Sequence, residues 1–241
     1  MQADLRTFVS LGVYGMAAPT AITIQNTKGV KEIIPLPEGS LRKQLKTLLE
    51  DVKIDALKTG MLLTKENILA VEEAVKRYKI KKFVLDPIIK SSTGVELLKK
   101  DSVLLFKKRL FPLAMIITPN INEAEILTGI KIKDEEDVRL AAKMLYEMAP
   151  KYVLIKGGHL KGDANDLLYD GRRFKIFKGK RVKGVKLHGT GCVFSAAITA
   201  YLAKGMSLEK AVGEAKGFIN IAIKKSVAIG KGRRALWQHG I

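Results

Sequence analysis

Met115-Ile116-Ile117-Thr118-Pro119-Asn120-Ile121-Asn122-Glu123-Ala124-Glu125 is an apolar, β-branched run that stops at Thr118-Pro119 and turns at once into helix-starting residues. Asn and Glu in a first turn suit the free N–H groups and positive end of a helix. The segment reads as a strand, residues 115–118, feeding a helix, and the same grammar recurs on either side. Strand-like runs lie at residues 17–24, 56–59, 83–85 and 152–155. Residues 167–169 and 174–177 flank Asp170-Gly171-Arg172-Arg173 and read as a hairpin with an Asp-Gly turn. Helices fall between the strands. Ser40 is placed to cap one that carries Leu41, Leu45, Leu48 and Leu49; Thr64 begins another through Tyr78 with Ile68, Val71 and Val75 on one face. Asp134 to Asp137 crowd the start of a third, and Ser207 is expected to cap the last, which carries a stripe of Leu208, Ala211, Ala215, Phe218 and Ala222. Short strands that are apolar on both faces, alternating with helices, predict a three-layer α/β domain with a mainly parallel central sheet. Helical periodicity (Leu5, Phe8, Val9) begins almost at Met1 and closes at Gly12, where such a domain normally opens with a strand. The chain is therefore expected to start inside its fold.

The 241 residues are 47% hydrophobic, which suits one sizeable domain and excludes a wholly disordered chain. Apolar runs are far shorter than the roughly 20 residues that span a bilayer. The first ten residues mix Asp, Arg, Gln and Thr, unlike a signal peptide. The single cysteine, Cys192, excludes an intramolecular disulfide and suits a reducing compartment, so a cytoplasmic location is expected. Lys and Arg number 43 against 24 Asp and Glu, a formal net charge of +19. Such a charge attracts nucleic acid, steers a polyanionic small substrate, or coats a surface as in proteins from hot environments. The basic residues are 33 Lys and only 10 Arg, dense only over residues 172–186 and without interleaved aromatics. Neither specific nucleic-acid binding nor membrane association is expected.

Leu187-His188-Gly189-Thr190-Gly191-Cys192 precedes an apolar, small-residue helix over residues 193–203. Two glycines in a turn leave backbone N–H groups free to converge, and the helix start adds positive charge; together they suit phosphate oxygens. In that first turn the same field is expected to lower the Cys192 thiol toward thiolate. The alternative is a helix capped by Thr190 around a buried, inert cysteine. Asn120 and Glu123 suit a hydrated Mg²⁺ held partly through substrate phosphates, or simply cap their helix. Asp86, in Val84-Leu85-Asp86-Pro87, is a second carboxylate at the sheet's carboxyl edge, where α/β proteins bind ligands. Lys90-Ser91-Ser92-Thr93-Gly94 then forms a phosphate-contacting run or a solvated loop. Lys156, in Val153-Leu154-Ile155-Lys156-Gly157-Gly158-His159, ends a buried strand, where a charge is costly unless it meets an anion. His159 and His188 are lone imidazoles, and no zinc-like spacing exists. Four such ends ask for phosphoryl transfer, without the GxxxxGK(S/T) loop of a P-loop enzyme.

These residues carry a resemblance. Gln2-Ala3-Asp4-Leu5-Arg6-Thr7-Phe8, Leu11-Gly12-Val13-Tyr14-Gly15, Thr20 to Thr27, and Lys58-Thr59-Gly60-Met61-Leu62 are its first carriers. Leu85-Asp86-Pro87, Ile117 to Asn120, Asn122 to Glu125, Lys156 to His159 and His188 to Cys192 follow in order. The chain resembles the hydroxymethylpyrimidine/phosphomethylpyrimidine kinases of thiamine biosynthesis, within the ribokinase-like superfamily. Gly-Thr-Gly-Cys, with Cys where most sugar kinases of the superfamily carry Asp, points to its pyrimidine and pyridoxal branch. The resemblance implies a kinase domain over residues 1–230 and a basic tail over 231–241. It implies that Asp4, Gln25 and Met61 hold the aminopyrimidine and that Ile88 packs on it. Asp86 and Glu123 would take the Mg²⁺ side, and Asn120, Lys156 and Thr190 the nucleotide side. Gly189, Thr190, Gly191 and Cys192 would form the anion hole, with Cys192 facing the acceptor oxygen as candidate base.

The implied reaction is ATP-dependent phosphorylation of a hydroxymethylpyrimidine and then of its monophosphate, with Mg²⁺, in a homodimer. A primary alcohol benefits from a base, whereas a phosphate monoester is already ionised. Pyridoxal kinase is the nearest alternative, and a crippled ligand- or nucleic-acid-binding relative a more distant one. The family precedes Gln-Ala-Asp with a strand and a Gly-rich loop, so Met1 reads as an internal position and low activity is expected.

Overall fold

The computed structural model describes residues 1–91, 94–157, 163–179, 184 and 187–240. Helix α1 (Gln2–Ser10) is followed by Gly12 at φ 67°, the left-handed conformation that a glycine adopts without strain. Strands β1 (Ala21–Asn26) and β2 (Gly29–Pro35) form an antiparallel ribbon of their own. The strand expected at residues 17–24 thus starts later and stands outside the main sheet, and its partner β2 carries no comparable sequence signal. Ile22, Ile24 and Ile34 are exposed on the ribbon, so its alternation marks a strand with one solvated face rather than a core strand.

The central sheet arises from α/β units in chain order: α2 (Ser40–Asp51), β3 (Leu57–Thr59), α3 (Lys65–Arg77), β4 (Phe83–Leu85), α4 (Val103–Leu110), β5 (Ile116–Ile117), α5 (Ile121–Thr128), α6 (Glu135–Tyr146) and β6 (Val153–Ile155). The hairpin β7 (Asp166–Tyr169) and β8 (Phe174–Phe177) completes it, followed by α7 (Thr190–Ala203) and α8 (Leu208–Lys224). The strand order is β3-β4-β5-β6-β7-β8, parallel from β3 to β6 and antiparallel thereafter. Period-two alternation divides the strand residues between two cores. Phe83, Leu85, Ile117, Val153, Ile155 and Leu167 pack with residues of α2 to α6, while Val84, Ile116, Leu154 and Leu168 pack with α7 and α8. The expected three layers and mainly parallel sheet are present.

Helix starts follow local chemistry in part. Thr64 begins its helix as expected and accepts the Asn67 N–H, and within the acidic run expected at a helix start Asp134 accepts the Asp137 N–H. Ser40 does not cap: Gly39, at φ 78°, holds that position and Ser40 is the first helical residue. Ser207 occupies the cap position of α8 without a side-chain hydrogen bond. Close to the chain end, Gln238 is buried and donates to Ala3 O at 2.9 Å, and the Arg233 N–H donates to Thr27 O at 2.8 Å. These contacts fasten the terminal residues to α1 and the ribbon turn. No helix among the described residues is long and apolar enough to cross a membrane.

Candidate functional site at the carboxyl edge

Parallel strands bring their carboxyl ends to one edge, and Asp86, Thr118 and Lys156 follow β4, β5 and β6 there. Pairing continues past the strands: the Lys156 N–H donates to Pro119 O at 2.8 Å, opposite Asn120. Lys156 therefore leaves the sheet beside Asp86, and its Nζ donates to Asp86 Oδ1 at 2.8 Å. Asp86 is 1% exposed and also accepts from Thr118 Oγ1 at 3.2 Å and Ser195 Oγ at 2.9 Å. Burial alone would raise its carboxyl, but Lys156 and Lys58 outweigh that and hold it below the usual carboxylate range. Lys156 is raised because its two acidic neighbours, Asp86 and Glu123, overcome the burial that would discharge it. The anion that this buried lysine requires is thus Asp86, present within the chain.

Helix α7 enters the same edge with Gly189 as its cap, at φ 77°. Thr190 is the first helical residue and not the cap, so the capped-helix alternative with Thr190 is not what forms. The N–H groups of the first turn have no acceptor within a helix, as at any helix start. A Cβ placed on Gly191 would lie 3.0 Å from Lys156 Nζ, so the ammonium rests directly against this turn. Cys192 is half-buried, and the expected thiolate does not form: burial pushes its thiol up to about 11. Lys58 and Lys156 pull the other way, but Asp86 and Asp4 push with the burial. Desolvation here exceeds the pull of a helix end, which falls off within a turn.

Asn120 and Glu123 form a reciprocal cap on α5: Asn120 Oδ1 accepts the Glu123 N–H at 2.9 Å, and Glu123 Oε2 accepts the Asn120 N–H at 2.8 Å. The capping alternative is therefore realised, and the Asn120 side-chain oxygen is committed to it. Glu123 is pushed up to about 7 by burial and by Asp86, against the pull of Lys156. Its Oε1 has no hydrogen-bond partner among the described residues. Two carboxylates that raise the charge density of one edge, one with a free oxygen, fit a hard cation with oxygen ligands. No group of three or more His, Cys, Asp or Glu able to hold a metal exists among the described residues, so phosphate and water would have to complete its shell.

Lys58 Nζ donates to Asp4 Oδ1 at 3.0 Å, linking β3 to α1. The Lys58 side chain is 3% exposed and that of Asp4 19%. A Cβ on Gly60 would lie 3.5 Å from both Lys58 Nζ and Ile88 Cδ1, so Ile88 borders the same place. Met61 is next in the chain, and its carbonyl accepts from Thr20 Oγ1 at 2.8 Å. Gln25 is not brought in: it is exposed on β1, at a register shift of the ribbon. His188 is half-buried and lowered by burial and by Arg233. His159, Ser92 and Thr93 lie outside the described residues.

Lys58, Thr118 and Ser195 belong to this site without having stood out in the sequence as site residues. So does a further pair behind it: Lys216 of α8 donates to Asp166 at 2.6 Å, and Asp166 accepts the Gly157 N–H at 3.0 Å, securing the turn after Lys156. A lysine inside a short strand-like run was the available signal for Lys58, close to the one that marks Lys156 at the end of its strand.

A parallel-sheet edge with a glycine-rich helix start, two buried lysines and carboxylates beside them defines a three-layer α/β phosphotransferase of the ribokinase-like kind. Similarity to known proteins narrows the class. The chain belongs to the phosphomethylpyrimidine kinase family, whose model matches residues 1–237. It is 46% identical over 231 residues to the hydroxymethylpyrimidine/phosphomethylpyrimidine kinase of Aquifex aeolicus, covering 95% of this chain and 91% of that one. Among solved structures, the phosphomethylpyrimidine kinase of Clostridium difficile superposes with a TM-score of 0.82 at 43% identity, covering 92% of each chain. The pyridoxal kinase of Staphylococcus aureus in complex with ADP superposes with a TM-score of 0.91 at 37% identity, covering 99% of this chain and 87% of that one. The chain spans about half, 48%, of the length of a bifunctional thiamine biosynthesis protein from Geobacter sulfurreducens.

Proposed function

We propose that this chain transfers the γ-phosphoryl group of ATP to 4-amino-5-hydroxymethyl-2-methylpyrimidine and then to the resulting monophosphate, in thiamine biosynthesis. The observation that carries the reading is Lys156 Nζ set against Gly191 in the first turn of α7. A cation and converging N–H groups at one point are what a transferring phosphoryl group requires, since its transition state is stabilised mainly by positioned charge. Lys156 and the Gly189–Cys192 turn bind the transferring group, with Thr190 and Asn120 toward the nucleotide. Asp86 holds Lys156 charged and in place. Glu123 and Asp86 would hold Mg²⁺, which supplies neutralisation of the phosphate oxygens when bound. Asp4, Met61, Ile88 and Gln25 form the pyrimidine side, with Gln25 reaching it only if the ribbon carries it inward.

Cys192 faces the acceptor oxygen. With its thiol at about 11, the thiolate is a minor species near neutrality, yet a strong base when formed. It takes the alcohol proton in the first transfer and has no proton to take in the second. A homodimer in the cytoplasm accompanies this reading, and the exposed Ile22, Ile24 and Ile34 face of the ribbon supports the dimer. Sedimentation of the purified chain as a monomer at micromolar concentration would remove that part.

The deciding assay is turnover with both acceptors. ATP consumption with the hydroxymethylpyrimidine and again with its monophosphate supports the reading; absence of both refutes it. The S. aureus pyridoxal kinase covers 99% of this chain, which keeps pyridoxal phosphorylation as a second reading. Turnover of pyridoxal without turnover of the pyrimidine monophosphate would select it.

A further inference from the structure

Lys58 is a core residue by position and a charge by chemistry. Its strand neighbour Thr59 is buried and Leu57 half-buried, and its side chain is 3% exposed on the sheet face covered by α7. An ammonium has three donors. Among the described residues Lys58 gives one hydrogen bond, to Asp4 Oδ1 at 3.0 Å. Burial alone would discharge this lysine, yet the carboxylates of Asp4 and Asp86 raise it above its ordinary value. The ammonium also borders Gly60, at 3.5 Å from the position of an added Cβ, and that same position is 3.5 Å from Ile88 Cδ1. Lys58 therefore stands beside the residues placed on the acceptor side.

Two acceptors of opposite electrostatic character must use this place. The first is a neutral alcohol; the second is a monoester that carries close to two negative charges at neutral pH. Burying that charge without a partner is prohibitive. Lys156 is already committed to Asp86 and to the transferring group. Asp4, being an anion, repels the second acceptor unless its charge is balanced.

Resting on the double phosphorylation above, we propose that Lys58 is the acceptor-side cation, binding the phosphate of the monoester and thereby admitting the second transfer. When the alcohol is bound, Asp4 is its hydrogen-bonded counter-charge and keeps the ammonium in place. When the monoester is bound, the ammonium turns its other donors to the phosphate while retaining Asp4. In that second transfer a monoester oxygen forms the new O–P bond to the γ-phosphorus. The bond from that phosphorus to the bridging oxygen breaks, its electron pair leaves with ADP, and no proton need be removed.

Steady-state kinetics of the full chain with each acceptor tests this. Lys58→Met is expected to lower kcat/KM for the pyrimidine monophosphate by about 100-fold, mainly through KM, and for the alcohol by less than about tenfold. Lys58→Gln retains a donor for Asp4 but no charge and serves as a second neutral variant should the first fail to fold. Lys58→Arg restores the monoester reaction to within about tenfold of the unsubstituted chain, because it returns the charge. Equal losses for both acceptors in a neutral variant, or no rescue by Arg, overturn the inference while leaving the functional reading intact. An unsubstituted chain that phosphorylates the alcohol but never the monoester overturns the reading itself, and with it this role for Lys58.

Discussion

Lys156 and Lys58 both act on Cys192 at the α7 helix start, each buried and each paired with an aspartate, yet the two pairs are built differently. Asp86 is 1% exposed and takes hydrogen bonds from Lys156, Thr118 and Ser195, so its pair is held from three elements. Asp4 is 19% exposed and its pair with Lys58 is a single bond between the first helix and an edge strand. The first arrangement suits a charge that must not move during catalysis, because a preorganised donor needs no reorganisation as charge develops. The second suits a charge that changes company as the acceptor changes from alcohol to phosphate. The lesson is that a buried lysine–aspartate pair is not one device; what else holds the carboxylate decides how it is used.

The largest expected effect separates the pairs. Lys156→Ala should lower kcat/KM by about 10³-fold for both acceptors alike, since it strips the transferring group. It also leaves Asp86 buried and unpaired, at about 3–5 kcal/mol in unfolding free energy. Urea unfolding alongside the kinetics reads both, and a loss confined to one acceptor would break the contrast with Lys58.

Cys192→Ala comes next, with a loss of about 100-fold in alcohol phosphorylation and a few-fold at most for the monoester. The pH profile sharpens it. Because the thiol sits at about 11, the thiolate fraction grows with pH throughout the neutral and mildly alkaline range. Alcohol phosphorylation should then climb about tenfold per pH unit below that value while the monoester reaction stays level. Lys58 and Lys156 are both raised, so neither loses its proton early in that window. Level profiles for both acceptors would leave Cys192 as a contact residue only.

The smallest effect concerns Glu123. Its carboxyl is raised from 4.5 to about 7, so the folded chain binds this proton more tightly than the unfolded chain and loses stability as pH rises between those values. Glu123→Gln keeps a capping-box side chain but removes the charge. Stability at pH 8 should therefore increase by ~1–3 kcal/mol, with no gain at pH 4, where the carboxyl is protonated in both states. The half-saturating Mg²⁺ concentration should rise roughly tenfold or more. Melting curves at the two pH values and a Mg²⁺ titration check both signs.

Much of this molecule is written locally. Phe83–Leu85 appears as a strand where its apolar run is shortest and clearest, because a strand buried on both faces needs no partner to be recognised, while the half-exposed Phe174–Phe177 is legible through the Asp-Gly turn before it. Thr64 and Asp134 cap as their side chains predict, and Asn120 and Glu123 fall three apart as a reciprocal cap requires. The β1–β2 ribbon is less legible, since a half-exposed strand reads much like a core strand until its neighbour is known.

For this protein the sequence by itself determined the α/β alternation, the strand ends that carry Asp86, Asn120 and Lys156, the glycine-rich turn before α7, and the family. All of these depend on residues a few positions apart, where backbone geometry and helix periodicity act directly. Only the tertiary structure decided who meets whom. Asp4 finds Lys58 across 54 positions, Asp86 finds Lys156 across 70 and Ser195 across 109. It also decided that Cys192 stays a thiol, because desolvation is a property of everything packed around the sulfur and not of the helix turn that carries it.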